Sequence, residues 1–270
     1  MASSASSRTL RRETESRIPI KSADEIKLMR ETCSRAAIVL SEMVHAAEVG
    51  MTTYDLDRLG KRAMDRLGVE SACFGYPGSK NRFPCYTCIS INDEVVHGIA
   101  SLHRTIEDGD VVSLDVVVKY NGYIGDNART IIVGNTTEAK QQLLESTQHA
   151  LKRGIDQALK GNRVGDISNA IQRTVEKAGY SVIREFVGHG VGVEMHEHPQ
   201  IPNYGRRNTG PKLFPGMTLA IEPMVNMGRK EVSILEDGWT VVTNDGLPSA
   251  HFEHTVLILS DGVEILTNAD

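Results

Sequence analysis

Four carboxylates and one imidazole, Asp115, Asp126, His189, Glu222 and Glu253, lie in strand-like or Gly-bounded segments that a folded core would otherwise fill with apolar residues. Brought together as bare charges, the carboxylates would repel one another, and each would resist burial without a partner. Divalent cations remove both penalties, and mixed carboxylate and imidazole ligation suits Fe(II), Mn(II), Co(II) or Zn(II). The set therefore points to a dinuclear hydrolytic centre. Each residue also has a plainer reading by itself. The Asp in VVSLDVVV could be a hydrogen-bonded or exposed strand residue, and His189 in Gly188-His189-Gly190 could hold an ordinary turn. His196 and His198 follow in GHGVGVEMHEHP, and His97 sits beside Gly98 as a further proton-transfer candidate.

The elements that carry these residues can be read from local pattern. Between Asp115 and Asp126 lies VVVKYNGYIG, in which Asn121-Gly122 is a type I′ turn signal flanked by β-formers. With those two residues as the turn, Asp126 opposes Val117. Val117 and Asp115 share a face, so both Asp side chains do too, in diagonal positions roughly 7 to 8 Å apart at the backbone.

Ser22 with Glu25 forms a capping-box signature, and Ile26, Met29, Cys33, Ala37, Leu40 and Val44 recur at helical spacing, which predicts a helix from about 23 to 47. Thr53 is placed to cap a second helix ending at Gly68. In the second half, Thr136 or Thr137 caps a helix ending near Gly161, and Asp166 caps another ending near Gly179. Gly109 precedes Asp115 by the same six residues that separate Gly216 from Glu222. Asp126 and Glu253 each lie shortly before Thr and an apolar run, TIIV and TVLI. The pattern suggests an internal duplication within one α+β domain, two related halves placing carboxylates at a shared seam.

Composition excludes several classes. The formal net charge of −5 gives no whole-surface basic field, which argues against DNA as a partner. No apolar run is long enough to span a membrane, and the start lacks an apolar secretory core, so a cytoplasmic protein is expected. Residues 1–17 are Ser-, Thr- and charge-rich and read as a disordered tail ahead of a single catalytic domain over 18–270; their acid-free start resembles a transit peptide only faintly. The cysteines, Cys33, Cys73, Cys85 and Cys88, suit packing or pocket-lining better than a disulfide framework, despite the Cys85-x-x-Cys88 pair.

At this point the chain strongly resembles the type I methionine aminopeptidases. The matching stretches are CISINDEVVHGI, EDGDVVSLDVVV, YIGDNARTIIVG, GHGVGVEMHEHPQI, PGMTLAIEPMVNMG, DGWTVVT and FEHTVLILSDGVEILT, in family order over nearly all of residues 20 to 267. The resemblance implies the pita-bread fold, with two pseudo-symmetric halves around a dinuclear metal site. It implies Asp115, Asp126, His189, Glu222 and Glu253 as ligands of two divalent ions (Co, Mn, Fe or Zn), with Asp126 and Glu253 bridging. It also implies His97 and His196 as catalytic, substrate-contacting histidines and Glu222 as the proton-transfer carboxylate. Cys73, Tyr76, Cys88, Met195 and Trp239 would line the methionine pocket. The implied reaction is hydrolytic removal of the initiator Met from nascent polypeptides whose second residue is small.

Three departures bear on the pocket: Met195 where an aromatic residue is common, Val96 where Cys is common, and extra residues around Ser79 to Arg82. The interval from His196 to Glu222 is too short for the helical insertion of type II enzymes. A proline-directed aminopeptidase or dipeptidase would share the ligands but usually carries a substantial N-terminal domain. A creatinase-like reaction is a further alternative. A metal-free paralogue that binds ribosomes would have lost ligands, and none is lost here. Lys80, Arg82, Arg206, Arg207 and Lys212 suit either a solvated surface or a transient ribosome contact. A monomer is the expected state.

Overall fold

The structure, a computed structural model, describes residues 18–268; the expected tail over 1–17 lies outside them. Its helices are α1 (Ala23–Ala46), α2 (Thr53–Leu67), α3 (Glu138–Ile155) and α4 (Val164–Lys177). The strands of the first half are β1 (Glu70–Ser71), β2 (Cys88–Ile91), β3 (Glu94–Val96), β4 (Asp110–Tyr120) and β5 (Tyr123–Val133). After α4 come β6 (Ser181–Val182), β7 (Gly188–Gly190), β8 (Glu197–Ile201), β9 (Thr218–Ile221) and β10 (Met224–Asn226). The last are β11 (Val232–Ile234), β12 (Val241–Thr243), β13 (Ser249–His251), β14 (Glu253–Ile258) and β15 (Val263–Ile265).

Local signals explain most helix ends. Ser22 Oγ accepts the Glu25 N–H while Glu25 returns to the Ser22 N–H, the reciprocal capping box expected for α1. In α2 the cap is Thr52, one residue earlier than expected. Thr52 keeps an extended backbone and accepts the Asp55 N–H, whereas Thr53 turns inward to donate to the Ser101 carbonyl. In α4 the N-cap is Arg163, not Asp166. Asp166 occupies the third helical position and reaches back to the Arg163 N–H at 2.8 Å, with its other oxygen on the Asn208 N–H. Helix α3 stops at Ile155, well short of Gly161; Gly161 (φ +93°) instead closes a later turn by donating to the Leu213 carbonyl.

The principal sheet runs β1-β4-β5-β14-β9-β7-β8, with β2 added to β4 and β15 to β14, every ladder antiparallel. The β4–β5 hairpin has the register that the Asn121-Gly122 turn requires: Val117 faces Asp126 and Asp115 faces Ala128. Asn121 and Gly122 both have positive φ, +48° and +85°, as a type I′ turn demands. Helix α1 lies directly on this hairpin. Its approach depends on Gly125, where a Cβ would come within 2.9 Å of the Cys33 Cα.

The expected duplication is visible in the ladders. Gly109 and Gly216 both have φ +89°, and each donates its N–H to the last residue of the partner strand, Val133 at 2.7 Å and Ile258 at 2.9 Å. The halves meet where Glu253 pairs with Ala128 and His254 with Asn127. Counted back from those strand ends, however, Asp126 corresponds to His251, not to Glu253; Glu253 corresponds to Ala128. One buried core lies between α1, α2 and the β4–β5 side, and another between α3, α4 and β9–β14. A third, smaller cluster of Val95, Val96, Ile183, Met224 and Val241 brings apolar residues against the cavity. The molecule is thus an α+β pita-bread fold with its carboxylates at the seam.

Candidate metal centre and active-site cavity

Asp115 and Asp126 come from the two strands of one hairpin, Glu222 follows β9, Glu253 opens β14, and His189 sits in β7 between two glycines. The crossing order β4-β5-β14-β9-β7 puts all five along one cavity of about 480 Å³. Oxygens of Asp126 and Glu253 and a ring nitrogen of His189 lie within 4.8 Å of one another. His189 Nε2 is 3.3 Å from Glu222 Oε1 and 3.9 Å from Asp126 Oδ2. Gly188 makes the crowding tolerable, since a Cβ there would stand 2.5 Å from the Ala220 carbonyl oxygen.

The electrostatics are those of a site short of positive charge. Burial raises Asp115 to about 6 and Glu222 to about 8. Asp126 and Glu253 are held well above the usual carboxylate range, by burial first and then by the neighbouring carboxylates. Burial also drives His189 down to about 3, so the imidazole is neutral and free to ligate. Asp115 Oδ1 and Glu253 Oε1 are buried without a hydrogen-bond partner among the described residues. Orphaned oxygens on carboxylates that oppose one another are what a divalent cation would satisfy, and the donor set fits such ions.

The residues expected around the substrate line the same cavity. His97 has φ +60°, an uncommon conformation for a non-glycine residue, and its ring packs edge-on against Phe186 and Trp239 at 5.5 and 6.3 Å. Gly98 locks that turn, because a Cβ would fall 2.2 Å from the Ile89 carbonyl oxygen. Burial lowers His97 to about 4 and lowers His196 as well. His196 meets the Tyr76 hydroxyl at Nδ1, 2.7 Å away, and stacks edge-on with His189 at 4.5 Å.

Cys73, Cys88, Met195 and Trp239 form the apolar wall, with Phe83 edge-on to Trp239 at 5.2 Å. The Cys88 thiol is raised well above its ordinary value, first by its hydrogen bond with Cys73 and then by burial. Cys88 is thus partnered with Cys73 and not with Cys85, which donates to the Ala100 carbonyl. The loop around Ser79 to Arg82 supports the wall. Asn81 accepts the Trp239 indole N–H at 2.6 Å and donates to the Asp237 carbonyl.

Lys80 and Arg82 donate to backbone carbonyls of Glu236 and Gly75 at this rim, whereas Arg206, Arg207 and Lys212 flank the start of α4. The sequence reading missed His251. It is buried, its Nε2 is 3.6 Å from Glu222 Oε2, and among the described residues that nitrogen has no hydrogen-bond partner. The signal was available: His251 stands four residues before Thr255, as Asp126 stands four before Thr130.

The model of metallopeptidase family M24 matches residues 27–260, and the chain belongs to that family. Within it the chain stands with the methionine aminopeptidases. The methionine aminopeptidase of Clostridium acetobutylicum is 46% identical over 250 residues, covering 93% of this chain and 98% of the relative. Methionine aminopeptidase 1 of Bacillus subtilis is 45% identical over 247 residues, with 92% and 98% covered. The solved methionine aminopeptidase of Thermotoga maritima superimposes with a TM-score of 0.90 at 46% identity, covering 93% of this chain and 99% of that one. Prolidase from Pyrococcus furiosus shares the fold more distantly, with a TM-score of 0.75 and 26% identity over 95% of this chain and 67% of its own.

Proposed function

We propose that this chain removes the N-terminal methionine from newly made polypeptides whose second residue is small, using divalent metal held by Asp115, Asp126, His189, Glu222 and Glu253. The observation that carries the reading is the convergence of these residues beside a mostly apolar cavity whose walls carry Cys, Met and Trp side chains. Two ions of the Mn(II), Co(II), Fe(II) or Zn(II) type would suit the donor set. Bound there, the metal supplies Lewis-acid polarisation of the substrate carbonyl and acidification of water.

The protein's own part follows from the side chains. Polarisable Cys73, Cys88 and Met195 with the flat Trp239 suit a thioether, which packs well against sulfur and aromatic edges. His97 and His196, both kept neutral by burial, offer hydrogen bonds to a peptide group without repelling a substrate ammonium. Tyr76 occupies one ring nitrogen of His196 and so fixes its orientation. Glu222 lies between His189 and His251, which supports it as the carboxylate that moves a proton toward the leaving amine.

The test is turnover of Met-Ala-Ser and an X-Pro peptide by metal-free protein titrated with Mn(II) or Co(II), beside Asp126→Ala. Metal-dependent release of Met, lost in the variant, supports the reading. Preferential cleavage of the X-Pro peptide moves the chain toward the prolidases.

A further inference from the structure

We propose that Lys21 and Glu197 form a buried ion pair whose role is to position His196, and that both are positioning residues for peptide hydrolysis. The inference rests on the aminopeptidase reading, in which His196 contacts substrate. Lys21 lies just ahead of α1, where its backbone N–H donates to the Gly216 carbonyl at 2.8 Å. Its ammonium reaches 176 residues along the chain to Glu197 Oε2, at 2.5 Å, and the two side chains are only 3% and 9% exposed.

Glu197 uses its second oxygen to hold the turn that carries His196. Oε1 accepts the Val193 N–H at 2.9 Å and the Glu194 N–H at 3.3 Å, so one carboxylate ties both ends of residues 193–197. The chain passes directly over the pair at Gly192, where a Cβ would stand 2.6 Å from Lys21 Nζ and from Glu197 Oε1. Gly192 is fixed from the other side by the Ile124 N–H, which donates to its carbonyl at 2.7 Å. The turn therefore rests on a charged floor, and its free face presents Met195 and His196 to the cavity.

Stability alone does not account for such a floor. A buried ion pair gains little over an apolar pair of similar volume, because both charges must be desolvated. What it adds is geometry: a lysine and two amides converge on one carboxylate and leave the turn a single arrangement. Among the described residues, neither Lys21 nor Glu197 hydrogen-bonds any of the five candidate ligands. Neither side chain of the pair therefore acts on the candidate metal site directly, although His196 itself meets the His189 ring at 4.5 Å.

The experiment uses the full chain loaded with Mn(II), in two variants. Lys21→Arg keeps the charge but places a broad planar head beneath Gly192. The double variant Lys21→Met with Glu197→Gln removes both charges together and leaves none unpaired. Mn(II) affinity by calorimetry, thermal midpoint, and kcat and KM for Met-Ala-Ser are measured for each.

The expected result is a kcat lowered on the order of 10- to 100-fold, the scale of a misplaced contacting group, with a smaller change in KM and unaltered Mn(II) affinity. Wild-type kcat from either folded, metal-loaded variant overturns the proposal. If the double variant fails to fold, Lys21→Arg decides alone by the same criterion. Failure of the aminopeptidase reading shows separately, as absence of Mn(II)-dependent Met release by the unmodified protein.

Discussion

His251 occupies a place in the second half that Asp126 occupies in the first, and the two differ in chemistry while sharing a location. His251 Nε2 stands 3.6 Å from Glu222 Oε2 and has no hydrogen-bond partner among the described residues, so Glu222 is the carboxylate it is near enough to orient. Groups behind metal ligands typically tune affinity by about 10- to 100-fold. His251→Ala is accordingly expected to weaken Mn(II) binding by that factor, and His251→Gln, which keeps a donor, by less. Calorimetry on the metal-free protein checks both, and an unchanged affinity for His251→Ala would remove His251 from the site.

Two glycines show how elements rather than single ligands set the geometry. Gly122 has φ +85° in the β4–β5 turn, and a Cβ there would meet nothing within 4 Å. Any cost of Gly122→Ala is therefore backbone strain, about 1 to 2 kcal/mol, which urea unfolding will show as a shifted midpoint at unchanged slope. Gly78 is the opposite case. An added Cβ would sit 2.4 Å from Trp239 Cζ2, so Gly78→Ala pushes the pocket wall itself. It is expected to raise KM for Met-Ala-Ser by roughly 10-fold, the scale of one methylene misfit, with little change in thermal midpoint. A lowered midpoint at unchanged KM would mean that Trp239 does not bound the substrate.

For the whole molecule, the seam makes folding depend on pH when metal is absent. Glu222 is raised to about 8 and Asp115 to about 6, so the fold prefers their protonated forms. Their stabilising share is complete below the unfolded carboxylate range and is lost as pH rises through those values. His189 and His97, lowered to about 3 and 4, act with the opposite sign, but only below the unfolded histidine value near 6.5. Between about pH 6.5 and 8 the carboxylates act alone. Metal-free protein is expected to lose stability with rising pH there, with a slope of up to ~1.4 kcal/mol per pH unit for one proton. Saturating Mn(II) should abolish the slope by replacing the proton. A flat profile in the metal-free protein, measured by thermal melts across that window, would contradict the charge assignment.

Local chemistry made much of this legible. The Asn121-Gly122 turn dictated the β4–β5 register, because a two-residue turn leaves one pairing, and so it placed Asp115 and Asp126 on one face. The Ser22 box, the Gly68 end of α2 and the matched glycines before Asp115 and Glu222 are likewise short-range effects of backbone and side-chain hydrogen bonding. Where two neighbours could serve, as with Thr52 and Thr53 or Arg163 and Asp166, the choice passed to tertiary contacts. Thr53 was drawn inward by Ser101, and Asp166 was shared with the 206–212 loop.

Only the folded chain decided which remote groups meet. The pairing of Cys88 with Cys73 and the reach of Lys21 to Glu197 leave no mark in local spacing, and the spacing that matches His251 to Asp126 does not by itself show that His251 enters beside Glu222. Each depends on strands or segments distant in sequence being closed together across the seam, and burial then turns proximity into perturbed charge. Residue types and spacing determined which candidate ligands were available; tertiary closure determined their neighbours, because the desolvation that makes them matter arises only when the two halves pack.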